Sequence, residues 1–324
     1  MKRNIGTAIA TTLLLVIGQT VMAGDVVGYN KIDVPANSDV LVSVPFNNEV
    51  AGEYTVASTA SATITVDEAL SADTYDSAYY VRIVSGSGDG LWSTVSSNGA
   101  GTLTVEDQAV VDELVADDEI RVYPHHTVAG LFPAGLEDVS YDSQTRLLVY
   151  EGAVAGQNKV QALTLQYAVA APLFNGWNNG VPGSDYNNQV LTPGSHVRIR
   201  NGSGEALSYI PHGTVPDHSI SMILPGSTAD DVIVSTGYPV GITMAESGLE
   251  NAGSVLLYDN EATGQNKVQQ YTLNYAVAPP LFDGWNNGVP GSDFNDELIN
   301  GSEGFIIRRD GSEGEVTVTI PKPY

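Results

Sequence analysis

A block of 54 residues occurs twice in this chain, and that fact limits the folds open to it more than any other. Residues 147–200 align without gaps to residues 255–308, a spacing of 108, with about 30 of 54 positions identical. The shared core runs Gly156-Gln157-Asn158-Lys159-Val160-Gln161, then Tyr167-Ala168-Val169-Ala170, then Gly176-Trp177-Asn178-Asn179-Gly180-Val181-Pro182-Gly183-Ser184-Asp185. Its second copy covers Gly264–Gln269, Tyr275–Ala278 and Gly284–Asp293. Repeats of this size are supersecondary units whose apolar faces are buried by stacking on neighbours. Looser matches extend the pattern. Asp39–Val44 resembles Arg146–Tyr150 and Ser254–Tyr258, Val81–Gly88 resembles Val197–Gly204, and Ala116–Ile120 resembles Ala229–Ile233. These matches predict three consecutive units, 24–133, 134–241 and 242–324, the last a partial copy, behind a leader at 1–23.

Each unit reads as β. Ser61–Val66, Gly101–Val105 and Glu315–Ile320 alternate polar and apolar residues, which puts one face on a core and the other in water. Val181-Pro182-Gly183-Ser184 and Val289-Pro290-Gly291-Ser292 are type II turn sequences, with proline presetting the first central residue and glycine taking positive φ at the second. Helix is expected only around Gln108–Leu114 and Thr243–Leu249. The expected fold is therefore all-β, built from tandem antiparallel sandwich or barrel-like units.

Several segments together resemble a family of exported β-rich proteins common in Verrucomicrobia and related bacteria. They are Gly28-Tyr29 with Pro35–Phe46, Tyr80–Ile83 with Gly88 and Gly90–Val95, Arg121–Pro124 with Thr127–Pro133, and Trp177 with Pro193–Arg198. The resemblance implies export and a β-architecture, and it carries no activity. The residues give the same address. Lys2 and Arg3, the apolar stretch Ile5–Ile17 and the small-residue site Val21-Met22-Ala23 predict a cleaved signal peptide. No later segment reaches the length of a transmembrane helix. A secreted or cell-surface location follows, with the periplasm as the other compartment that a leader allows.

The 324 residues carry 13 Lys plus Arg against 38 Asp plus Glu, a net charge of −25, and no cysteine. Such a surface repels phosphate, so nucleic acid is not an expected partner. Thiolate metal sites, disulfides and cysteine nucleophiles are excluded. No Gly-x-Ser-x-Gly elbow, P-loop or His-Glu-x-x-His is present. His125 and His126 are strand neighbours that point to opposite faces, and with His212 and His218 they are expected at loops or strand ends. Asp117-Asp118-Glu119 and Asp230-Asp231 are expected in turns and in solvent.

The candidate ligand residues are the repeated amide-rich loops, Trp177, Asn178, Asn179 and Asp185 with their equivalents Trp285, Asn286, Asn287 and Asp293. An exposed indole ringed by amides can stack on a sugar ring while the amides bond hydroxyls. A plug at the end of a β-core is the competing role for both tryptophans, and Trp92, which has no counterpart in the repeat, is expected to pack. Asp293, Asn295, Asp296 and Glu297 offer oxygen ligands for Ca2+, the one expected cofactor. The sequence therefore points to an exported, non-enzymatic structural or adhesive protein. Glycans or envelope components and further copies of itself are its expected partners. An outer-membrane β-barrel and a secreted polysaccharide-processing enzyme are the alternatives.

Overall fold

A computed structural model describes residues 26–136, 144–150, 155–170, 174–226, 228–278 and 282–324; the expected leader at 1–23 lies outside them. The described chain is nearly all β. Helix is confined to Gln108–Asp112, Val128–Leu131 and the 3-10 turn Met244–Glu246. Two of these fall where the sequence places helix.

The duplicated block forms two five-stranded antiparallel sheets of the same order. In the first, the neighbours are Phe174–Asn178, Gln161–Ala170, Arg146–Tyr150, His196–Arg200 and Asp39–Ser43. In the second they are Phe282–Asn286, Tyr271–Ala278, Ser254–Leu257, Gly304–Asp310 and Ala229–Ser235. Positions 108 apart do the same work in both cores. Leu147 and Val255, Leu165 and Leu273, Trp177 and Trp285, and Ile199 and Ile307 are all buried.

The fifth strand of the first sheet is drawn from far upstream. Asp39–Ser43 pairs with His196–Arg200, with Val42 opposite Val197, and Ile32–Val34 pairs with Leu207–Tyr209. One hydrophobic core therefore joins residues Val34–Val44 to Val128–Tyr209, and a second gathers Ile220–Ile320. The partition differs from the three consecutive units expected. One domain is present twice, as 26–47 plus 126–214 and again as 215–324, because strand pairing follows edge availability and not chain order.

Between Asn47 and His126 of the first copy lies a separate body. It is a closed six-stranded barrel ordered Gly52–Ala60, Thr63–Val66, Thr102–Val105, Trp92–Gly99, Tyr79–Ile83 and Glu119–Pro124. Alternation sets its inside. Ile64, Val66, Leu103 and Val105 are buried while the intervening threonines are partly exposed. Register shifts at Val56/Ser58 and Val95/Ser97 supply the local bends that closing a small barrel requires. The barrel begins and ends at one place, since the Ala51 N–H donates to the Val122 carbonyl at 2.8 Å and the Asn48 carboxamide donates to that of Pro124 at 3.1 Å. Adjacent ends are what let a domain sit inside another without breaking it.

The two copies clasp each other reciprocally. The loop Gly156–Lys159 of the first copy docks on Asp230-Asp231 of the second. The Asn158 N–H donates to Asp231 Oδ2 at 2.6 Å, the Asp231 N–H donates to the Gly156 carbonyl at 3.0 Å, and Arg308 donates to Asn158 Oδ1 at 3.0 Å. The loop Gly264–Lys267 of the second copy docks on Asp39 of the first in the same way. The Asn266 N–H donates to Asp39 Oδ2 at 2.7 Å, the Asp39 N–H donates to the Gly264 carbonyl at 3.0 Å, and Arg200 donates to Asn266 Oδ1 at 2.6 Å. Each aspartate also holds an arginine of its own sheet in a two-pronged pair, Asp39 with Arg200 and Asp231 with Arg308, at 2.7–2.8 Å. Both aspartates are buried. Asp230-Asp231 is thus an interface element and not the solvated turn that its composition suggests. Asn158 and Asn266 both take φ of 55°, a conformation asparagine tolerates better than most residues.

Candidate functional site

The repeated amide-rich loops are scaffolding. Trp177 and Trp285 are each 1 % exposed, which agrees with the core-plug role and corrects the exposed indole platform. The reason lies in the pairing, which sets Trp177 opposite Tyr167 and Trp285 opposite Tyr275 with rings edge-on at 5.6 Å. Both indoles thereby turn into their cores.

The amides around them are spent on backbone. Asn178 Nδ2 donates to the Gln166 and Gly176 carbonyls while its Oδ1 accepts from the Gly180 N–H, and Asn286 repeats this with Asn274, Gly284 and Gly288. Asn179 and Asn287 accept from the N–H two residues on, and Asp185 and Asp293 do likewise. These are Asx-turn bonds. The type II turns form as the sequence predicts, with Gly183 and Gly291 at φ of 81° and 80°. The proposed Ca2+ ligands Asp293, Asn295, Asp296 and Glu297 do not converge. Asn295 Oδ1 accepts from the Trp285 N–H at 3.0 Å, and no group of three or more His, Asp or Glu side chains able to hold a metal is gathered among the described residues.

One difference between the copies offers a direct check on the core role. Trp177 Nε1 donates to the Phe132 carbonyl at 3.0 Å, whereas Trp285 Nε1 is buried without a partner. Trp177→Phe therefore orphans a carbonyl and is expected to cost about 1–3 kcal/mol more than Trp285→Phe. Urea unfolding of the two variants measures the difference, and equal losses would contradict the assignment.

The duplicated domain carries a cleft in equivalent positions of both copies, and the two have diverged. In the first copy the walls are Trp92, Tyr150, Gln189, Thr192, Ser195 and His196, enclosing about 420 Å3. In the second, Tyr258, Glu297, Asn300, Glu303 and Gly304 stand at the positions of the last five, beside Asp259 and Glu261, around about 260 Å3. Among the described residues the first lining is neutral and aromatic and the second anionic. Burial pushes the Glu303 carboxyl up, and Glu261 and Asp259 nearby push it the same way, although an Asn300 hydrogen bond opposes them.

His196 is the pivotal group. It is 2 % exposed, and its Nδ1–H donates to the Val234 carbonyl at 2.9 Å. That bond leaves Nε2 as a bare lone pair, and Nε2 has no partner. Burial lowers its pKa to about 4, so the imidazole is neutral at pH 7 and can only accept there. A Cβ on Gly304, its counterpart, would lie 2.2 Å from the His196 ring. The two equivalent positions thus face each other, and only one side chain fits between the copies. Trp92 comes from the barrel, packs edge-on to Tyr80 and His125 at 5.9 and 6.1 Å, and remains partly exposed. It does pack, as the sequence suggests, but it also closes one wall of the cleft. No repeat match flags Trp92 or His196. For His196 the signal is the reverse, a residue that breaks the repeat where its counterpart is Gly304, and Trp92 lies in the barrel, outside the repeat. No protein-family model, no curated protein and no solved structure matches this chain.

Proposed function

We propose that this is an exported, non-enzymatic surface β-protein that binds a neutral glycan in the cleft between its barrel and the first copy of its duplicated domain. The carrying observation is the unpartnered Nε2 of His196 in the wall of that cleft. A buried acceptor without a donor costs about 1–3 kcal/mol, and a ligand hydroxyl that displaces the side chains covering Nε2 would satisfy it. Trp92 and Tyr150 supply faces for the C–H surface of a sugar ring, and Gln189, Thr192 and Ser195 supply amide and hydroxyl partners. Among the described residues no carboxylate lines this cleft.

Export rests on the leader-like start and the acidic, cysteine-free composition. The barrel argues against the outer-membrane alternative. Its strands run from 4 to 9 residues with apolar side chains inside, and a membrane crossing needs about 9–11 residues per strand with the apolar side outward.

Tryptophan fluorescence tests the reading directly, because Trp177 and Trp285 are buried and Trp92 is the accessible reporter. Titration with neutral oligosaccharides is expected to shift the emission saturably, and Trp92→Phe to abolish the signal. By calorimetry that variant is expected to weaken binding about tenfold, or about 1.4 kcal/mol. A flat response across a broad panel of neutral glycans would sink the proposal.

A further inference from the structure

From Arg82 we infer a second, separate site, which holds one small monovalent anion of halide size where the barrel meets both copies of the duplicated domain. Arg82 lies on the barrel strand Tyr79–Ile83 and is 2 % exposed. Arg121, Arg200, Arg308 and Arg309 each face a carboxylate within ion-pair distance. Arg82 has none among the described residues. Its Nη1 meets His218 Nε2 at 3.2 Å. That nitrogen is a lone pair, because the His218 Nδ1–H donates to the Ser219 carbonyl at 2.9 Å. The Tyr80 ring lies 5.4 Å from the guanidinium carbon, and the Arg82 Nε–H is buried with no partner among the described residues. An uncompensated buried charge is among the most costly features a fold can carry.

Beside Arg82 is a small cavity of about 10 Å3. All three bodies wall it. Tyr80 and Arg82 come from the barrel, Asn47 and Gly194 from the first copy, and Ile220 and Gly237 from the second. The Tyr80 hydroxyl meets Asn47 Oδ1 at 3.3 Å, which leaves the Asn47 Nδ2–H groups as further donors. Asp217 is committed to Arg121 through both oxygens at 3.0 Å. Asp89 Oδ1 is itself buried without a hydrogen bond among the described residues, so that oxygen makes no direct bond to Arg82. A buried cation, spare N–H donors and a cavity this small match a halide. Bound there, the anion neutralises Arg82 and fastens the barrel to the duplicated pair.

Melting of the full chain in sodium chloride against sodium gluconate at equal ionic strength tests this. A rise of about 4 °C, logarithmic in chloride, is expected over a hundredfold increase above its dissociation constant. Arg82→Gln is expected to erase the difference between the salts, and Asp89→Asn to keep it. Should Arg82→Gln fail to fold, crystals of the unaltered protein soaked in bromide supply the second measurement, an anomalous peak beside Arg82 Nε. Equal melting in the two salts, a chloride response that survives Arg82→Gln, or no bromide peak at Arg82 would each overturn the inference.

Discussion

Lowering the pH from 6.5 toward 4 is expected to cost this protein several kcal/mol through its buried histidines. Three buried histidines carry the effect. Burial lowers His125, His196 and His218 to about 4, with His126 adding for the first and Arg82 for the last. A charged ring is unwelcome at each. His125 lies among Tyr80, Trp92 and Thr94 with Nδ1 buried and unpartnered. His196 is enclosed between the copies, and a proton on His218 Nε2 would meet the Arg82 guanidinium. In the unfolded chain the same side chains titrate near 6.5. Between the two values the unfolded state binds protons that the folded state refuses. The stabilisation is therefore complete above pH 6.5 and is lost as the pH falls toward about 4. Each histidine contributes on the order of 2–3 kcal/mol. Hydrogen bonds and nearby cations hold the carboxyls of Asp33, Glu68, Asp217 and Asp310 below their usual range, so their loss comes later. Urea unfolding across this window, with proton uptake counted by calorimetry, measures the slope. A midpoint that does not change between pH 6.5 and 4.5 would contradict it.

Removing either interface aspartate is the mutation expected to do the most damage. Asp39→Ala strips Arg200 of its two-pronged partner, orphans the Asn266 N–H and releases the loop Gly264–Lys267. Asp231→Ala does the same to Arg308, Asn158 and the loop Gly156–Lys159. Breaking a buried pair from one side leaves the arginine uncompensated and costs about 3–5 kcal/mol, or about 5–8 °C in melting temperature for a chain of this size. Because the two clasps are related by the duplication, the single losses should be similar. A double variant should lose less than their sum if the first break already frees the interface. Melting of the three variants decides this. Single losses under 1 kcal/mol would remove the clasp as a stabilising element.

The repeated tetrapeptide Gly-Gln-Asn-Lys is plain in the sequence, and its use is not. Both copies keep it because each grips the other's aspartate. The partner strand was also legible, since Ser38-Asp39-Val40-Leu41-Val42-Ser43 matches Asp230-Asp231-Val232-Ile233-Val234-Ser235. That match is short and competes with longer misleading ones such as Val81–Gly88 against Val197–Gly204. These last are both strands, one in the barrel and one in a sheet, so their likeness reflects strand chemistry and not an equivalent place.

The amino-acid sequence alone determined the β-class, the strands with a two-residue period, the Pro-Gly turns, the scarcity of helix and the duplication. Each of these depends on contacts between near neighbours or on direct self-comparison, which side-chain identity records. The tertiary structure alone decided that the first copy takes its fifth strand from beyond an inserted barrel. It also decided that Trp177 and Trp285 face inward, that Trp92 joins His196 in one cleft, and that Arg82 is enclosed without a counter-charge. Backbone ladders pair through N–H and C=O groups that every residue shares, so the choice of partner across more than a hundred residues leaves little trace in composition. It is settled by which edges remain open once the local strands have formed.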